Sequence, residues 1–364
     1  MEPKRLALTH VHESLGAKMV NFGGYLMPVQ YSKGIIHEHK IVRSSVGVFD
    51  VSHMGEVIVS GEGALDFVQK ITVNDVAALK IHQAHYSAMC YENGGIVDDL
   101  LVYRMSEDEF FLVINAGNRD KDIAWMKSHL TDNVKFEDVG DNYTLFAIQG
   151  RNAEKVVQKL VDFDTTEIKY YYFTVDKIGG VEAIISRTGY TGEDGFEVYL
   201  PTEYSEELWK KVFEAGEEFG IEPVGLGARD SLRMEMKMAL YGNDIDETTN
   251  PIEATLGWIT KVDKGEFIGK EAIAKVKAEK PSRKLAGFVV NSKRIARQHT
   301  KIFANGEEIG EVTSGNFSPS TEQNIGLGYV KSEFAKIGTE LEVKIGSKFL
   351  PITIVRPPFY KRDY

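Results

Sequence analysis

Two short stretches of this chain hold residues whose types and spacing suit chemistry. The first, residues 186–197, reads SRTGYTGEDGFE. Gly189, Gly192 and Gly195 recur every third residue, and Asp194-Gly195 is a turn signal. Glycines this close together let backbone approach a ligand or take positive φ. Beside them, the Glu197 carboxylate and the Tyr190 ring form a set able to receive paired N–H donors from a heterocycle. The alternative is a tight hairpin carrying a solvated glutamate, and spacing alone leans that way. The second stretch, residues 94–103, reads GGIVDDLLVY. As a strand it places Val97, Asp99, Leu101 and Tyr103 on one face and Asp98, Leu100 and Val102 on the other. Whichever face is buried, one carboxylate then lies among aliphatic side chains, where it needs a partner or a function. Alternatively, both aspartates cap backbone N–H groups at the strand entrance after the Gly-Gly turn.

Elements that position these groups follow from hydrophobic period. Residues 181–185 are an apolar, branched run expected to be a buried strand, and 196–200 alternate as a half-buried strand does. Glu197 then shares a face with Tyr199, opposite Phe196 and Val198. Amphipathic helices are expected at 120–130 and 206–219, and a strand at 110–114. Residues 264–284, KGEFIGKEAIAKVKAEKPSRK, place apolar residues at near-helical spacing among lysines, the pattern of a solvated connecting helix. Beyond it come short apolar or alternating runs at 284–290, 301–303, 309–312, 324–330, 341–345 and 349–355. The hairpin signal Ala304-Asn305-Gly306-Glu307 lies among them, and the set suggests a small antiparallel barrel. The implied division is 1–263, a linker helix at 264–282, and 283–364.

Composition bounds the function. The chain has 364 residues, enough for two or three domains, and is 43% hydrophobic and 27% charged, as globular proteins are. A net charge of -11 argues against nucleic acid as a partner. Mean hydropathy is -0.23 and no apolar run approaches spanning length, so no membrane role is expected. The N-terminus has no signal-peptide core, and the lone Cys90 excludes an intramolecular disulfide and suggests a reducing compartment. Gly225-x-Gly227 meets Asp230 where a dinucleotide fingerprint needs glycine, and Pro223 disrupts the strand before it. No GxxxxGK[ST] phosphate loop occurs. His10-x-His12 and His37-x-His39 lack a clear third ligand, so no metal is expected.

Taken together, the motifs resemble those of the glycine-cleavage T proteins, folate-dependent aminomethyltransferases. Besides 186–197, the likeness runs through GAKMVNFGGYLMPVQY, VGVFDVSHMGEV, NDVAAL, YSAMCYENGGIVDDLLVYR, FLVINAGNRDKD, GLGARDSLRMEMKMALYGND, TNPIEATLGW and RPPFYKR, in order and over nearly the whole chain. The resemblance implies an α+β folate-binding region of two subdomains followed by a C-terminal antiparallel β-barrel. It implies transfer of a methylene from an S-aminomethyl-dihydrolipoyl carrier, the lipoylated H protein, to tetrahydrofolate. Ammonia and 5,10-methylenetetrahydrofolate would be released, with tetrahydrofolate as co-substrate and no metal or flavin. It also implies functional association with the P and L proteins of the glycine cleavage system. The location would be the cytoplasm of a bacterium, or the mitochondrial matrix in a eukaryote.

The same resemblance assigns roles residue by residue. The second aspartate of GGxxDD, Asp99, matches the family's proposed catalytic carboxylate. Met54, Tyr86, Asn115, Tyr190, Glu197 and Arg229 match folate-pocket residues, Glu197 as the acidic pterin ligand. A C-terminal contact falls to Tyr364 or Tyr360. Tyr25-Leu26, His82 and Ser320-Thr321-Glu322 depart from the usual pattern, His82 and the end of the 320–322 turn standing where glycine is common. Related folate-dependent demethylases are the runner-up. Non-catalytic folate-binding proteins of iron–sulfur assembly carry KGCYxGQE, and here Glu266 stands in place of that cysteine.

Overall fold

The computed structural model describes residues 2–364. Contacts divide the chain into two compact units that interleave in sequence. Residues 2–68, 76–86 and 100–230 form one, and residues 69–75, 87–99 and 231–364 form the other.

In the first unit, a six-stranded sheet runs in the order Phe173–Ile178, Val181–Ser186, Gly195–Pro201, Tyr143–Gln149, Gly47–Asp50, Glu222–Pro223. Neighbours pair antiparallel except the last, where Glu222 lies parallel to Gly47. Pro223 is tolerated there because a sheet edge can lack one N–H donor. Alternation sorts the two faces. Phe196, Val198, Leu200, Phe146 and Ile148 enter a core with Val156 and Val157 of helix Ala153–Gln158. Leu208, Trp209 and Val212 of helix Ser205–Gly216 complete it, spaced as one helical stripe. Glu197 and Tyr199 project from the opposite face. The Gly195–Pro201 strand is not half-buried as its alternation suggests, since every residue from Gly195 to Leu200 is buried. It is a central strand, and its polar face is covered too.

That cover comes from a second sheet, ordered Gln83–Cys90, Ile96–Arg104, Glu109–Ile114, Gly55–Ser60, Lys135–Asp138. Within the first unit, Leu100–Arg104 pair with Phe110–Ile114. Tyr103 and Phe111 there meet Tyr199 edge-on, with ring centroids 5.8 and 5.2 Å away.

The second unit contains a closed six-stranded barrel in the order Arg283–Val290, Gln323–Lys331, Glu307–Ser318, Lys301–Ala304, Glu340–Ile345, Lys348–Val355. Asn305 and Gly306 take φ of 51° and 83° at its hairpin, the left-handed pair that a two-residue turn needs. Phe288, Val290, Ile302, Val312, Val343, Ile352 and Ile354 fill its interior. The expected α+β region with a C-terminal antiparallel barrel is therefore what the chain forms. Helix Lys270–Glu279 precedes the barrel, with Ile273 buried and most lysines outward. Lys264 is not solvated as its stretch suggests: its Nζ donates to the carbonyls of Gln69, Thr72 and Asn74 at 2.5, 2.6 and 2.8 Å.

Candidate functional site

The segment between Ser186 and Gly195 is an eight-residue loop rather than a tight turn, and it is fixed by charge pairs. Arg187 grips Asp194 through two bonds, Nε to Oδ1 at 3.0 Å and a terminal nitrogen to Oδ2 at 2.6 Å. Arg43 donates to Glu193 at 2.8 Å and to the Thr191 carbonyl at 2.7 Å, with both side chains buried. The Gln149 amide reaches from the neighbouring strand, donating to the Thr188 carbonyl and accepting from the Thr191 hydroxyl, each at 3.0 Å. Of the three glycines, only Gly192 has positive φ, 80°. At Gly189 and Gly195 an added Cβ would lie 2.1 and 2.6 Å from the Gln149 side chain. Those two glycines therefore make room for a structural amide.

Glu197 is buried, not solvated, at 7% exposed. Its Oε2 accepts from the Thr188 hydroxyl at 2.6 Å, and Thr188 also meets Ser186 at 2.9 Å and the Tyr103 hydroxyl at 3.3 Å. Tyr103 and Tyr199 share a hydrogen bond of 3.1 Å. Burial pushes the Glu197 carboxyl above the usual carboxylate range, against the pull of the Thr188 hydrogen bond and the Arg229 charge. Arg229, on helix Leu226–Glu235, lays its guanidinium 4.5 Å from the centre of the Tyr190 ring. Tyr190, Glu197 and Arg229 are thus brought together. A buried acceptor beside a stacked guanidinium suits a flat, polar heterocycle that offers N–H groups to one and a carbonyl or carboxylate to the other.

Met54 is half-buried in the turn that ends with its N–H on the Val51 carbonyl, just before the strand Gly55–Ser60. Tyr86 is half-buried in Gln83–Cys90, and Asn115 is half-buried at the end of Glu109–Ile114. All three belong to the first unit. Asp99 and Tyr364 belong to the second. Both aspartates lie inside the strand Ile96–Arg104. At its entrance Asn93 accepts from Gly95 N–H at 2.9 Å. Asp98 is fully buried, whereas Asp99 keeps partial exposure, as does Leu101 on the same face. Gly95 is held to glycine by close approach, since a Cβ there would lie 2.0 Å from the Glu247 carbonyl oxygen. Tyr364 is 54% exposed, with the Arg362 guanidinium 5.6 Å from its ring centre.

The histidine pairs do not converge. His10 faces Glu206 at 3.1 Å. Inside the core His12 donates to the Asp50 carboxylate at 2.8 Å and shares a hydrogen bond of 2.9 Å with the Tyr31 hydroxyl. His37 pairs with Glu222 at 2.9 Å. Among the described residues, no group of three or more His, Cys, Asp or Glu side chains is arranged to hold a metal, and no helix is long and apolar enough to cross a membrane.

Sequence reasoning passed over Thr188, Tyr103, Gln149 and His53. Alternation had already placed Tyr103 beside Asp99 on one face, a usable signal. Gln149 comes from a distant strand and nothing in its own neighbourhood marks it, whereas His53 directly precedes Met54 in the VGVFDVSHMGEV stretch.

Over residues 8–264 the chain matches the family model of the GCVT N-terminal domain, and over 283–361 that of the glycine cleavage T-protein C-terminal barrel domain. It is 47% identical over 363 residues to an aminomethyltransferase of Desulfitobacterium hafniense, covering 100% of this chain and 99% of that one. To an aminomethyltransferase of Chloroherpeton thalassium it is 49% identical over 362 residues, with 99% of each covered. The crystal structure of the glycine cleavage system aminomethyltransferase T from Bartonella henselae is similar with a TM-score of 0.93 and 35% identity, over 99% of both chains.

Proposed function

Because the chain belongs to the glycine-cleavage T-protein family of aminomethyltransferases, we propose that it moves the methylene of an S-aminomethyl-dihydrolipoyl carrier protein onto tetrahydrofolate. Nitrogen 5 of tetrahydrofolate attacks the methylene as the carbon–sulfur bond breaks. The amino group then leaves as ammonia, and closure on nitrogen 10 gives 5,10-methylenetetrahydrofolate and the dihydrolipoyl carrier. The observation that carries this reading is the buried Glu197 carboxylate beside the Arg229–Tyr190 stack.

In this reading Glu197 receives the pterin's amino and ring N–H groups, and Arg229 holds an oxygen of the same ligand. Met54, Tyr86 and Asn115 line the pocket, and Tyr364 supplies a contact from the C-terminus. Asp99 is the catalytic carboxylate: it stabilises positive charge on the migrating methylene and accepts the proton that nitrogen 5 loses. Its aliphatic neighbours strengthen that charge interaction by lowering the local dielectric. The protein otherwise aligns two reactants and excludes water. The carrier is the lipoylated H protein, in functional association with the P and L proteins, and the setting is bacterial cytoplasm. The folate-binding region is taken as 1–263, joined through 264–282 to the barrel domain 283–364.

The test is turnover by the purified chain with aminomethylated lipoyl carrier and tetrahydrofolate. Ammonia and methylenetetrahydrofolate should form together in equal amounts. Ammonia release that does not depend on tetrahydrofolate would overturn the reading.

A further inference from the structure

His53 stands in the turn between Gly47–Asp50 and Gly55–Ser60, one residue before Met54. It is 2% exposed, and its Nδ1 is buried with no hydrogen-bond partner. Asp50 already accepts from His12 at 2.8 Å and from the N–H and hydroxyl of Ser52 at 3.0 and 2.5 Å. Two rings hold the imidazole in place: Phe22 at 5.6 Å and Tyr25 at 6.4 Å between centroids, both edge-on. Burial, followed by the Arg229 charge, pushes the ring down to about 3, so it is neutral at physiological pH. Arg229 is also the cation whose charge acts on Glu197. The Arg229 charge thus acts on both His53 and Glu197, and all three residues belong to the first unit.

A buried polar atom without a partner is costly, and native proteins keep few of them without a reason. A neutral imidazole beside a guanidinium presents its lone pair more readily than a proton, because the cation opposes another positive end. We infer that His53 Nδ1 is a further hydrogen-bond acceptor for bound tetrahydrofolate, taking one of its N–H groups; this rests on the folate reading given above. The acceptor is satisfied only in the complex. Removing it therefore harms binding and does not harm the free protein.

Three proteins test this by calorimetric titration with tetrahydrofolate and by thermal unfolding without ligand: the unaltered chain, His53→Phe and His53→Asn. Phenylalanine keeps the ring packing against Phe22 and Tyr25 but has no acceptor. Asparagine keeps a polar group near the Nδ1 position. His53→Phe should bind roughly 10- to 100-fold more weakly, the span of one buried hydrogen bond, while its unliganded Tm stays level or rises. His53→Asn should recover most of the affinity. Unchanged affinity in His53→Phe, or a lower unliganded Tm with no rescue by asparagine, would overturn the role of His53. Absence of binding by the unaltered chain would instead overturn the folate reading itself.

Discussion

The C-terminal barrel and the sheet that carries Glu197 are both antiparallel, and they fill their interiors differently. Inside the barrel, Phe288, Val290, Ile302, Val343, Ile352 and Ile354 pack together as aliphatic and aromatic bulk. On the inner face of the Glu197 sheet, Thr188, Tyr103, Tyr199 and Glu197 form a chain of hydrogen bonds instead. Among the described residues, the barrel buries no side-chain polar atom without a partner, whereas the first unit leaves His53 Nδ1 and both Glu56 oxygens so. Burial pushes the Glu56 carboxyl well above the usual range. An apolar interior gives stability and little else. A polar interior gives up some stability and gains groups that a ligand can complete.

The comparison is broken most strongly at Asp99. Asp99→Asn should cut turnover roughly 10²- to 10⁴-fold, the span for a positioned acid–base group, with folate affinity falling much less. Asp98→Asn, on the opposite face, should be far milder in ammonia release and methylenetetrahydrofolate formation. A larger loss in the Asp98 variant would reverse the two assignments. Truncation in the barrel should do the reverse of a site change. Ile352 is fully buried, so Ile352→Ala should lower stability by about 2–5 kcal/mol in denaturant unfolding. Tetrahydrofolate affinity of the folded protein should stay unchanged.

A smaller effect comes from pH. The folded pKa of His53, about 3, lies below its ordinary 6.5, so the unfolded chain takes up the proton first. The stability present above 6.5 is lost as pH falls from there toward 3, by roughly 1 kcal/mol for each pH unit. The stability of His53→Phe should fall less steeply over that window than that of the unaltered chain; equal slopes would show that the ring is not buried neutral. Smallest is a backbone effect at His82, an exposed residue with φ of 63°. His82→Gly should relieve the left-handed strain, offset by a more flexible unfolded chain and by loss of the ring contact with Phe173 at 5.4 Å. A net gain of no more than about 1 kcal/mol in thermal unfolding is expected.

Much of the barrel could be read directly, because alternation and the Asn305-Gly306 turn are local signals. The strands around 181–200 were equally legible, and so was the departure at His82. Glu322, at the other position where glycine is common, also has positive φ, 57°. Reading residues alone inclined toward a solvated Glu197, and the covering of its face by Tyr103 and Phe111 explains the failure. Alternation reports which residues share a face but not what lies over it. Gln149 left no trace, since it acts on a segment far along the chain, while His53 stood unremarked beside Met54. The glycines at 189 and 195 marked a close approach correctly, and their partner proved to be a protein amide.

Glu197→Gln tests the central claim most directly. The amide keeps the size of the side chain and removes the charge proposed to meet the pterin. Calorimetric titration should give tetrahydrofolate affinity weaker by about 1.5–3 kcal/mol, with circular dichroism and the unfolding midpoint close to those of the unaltered chain. Undiminished affinity in a folded Glu197→Gln variant would contradict the account, leaving Glu197 a structural carboxylate on a buried strand.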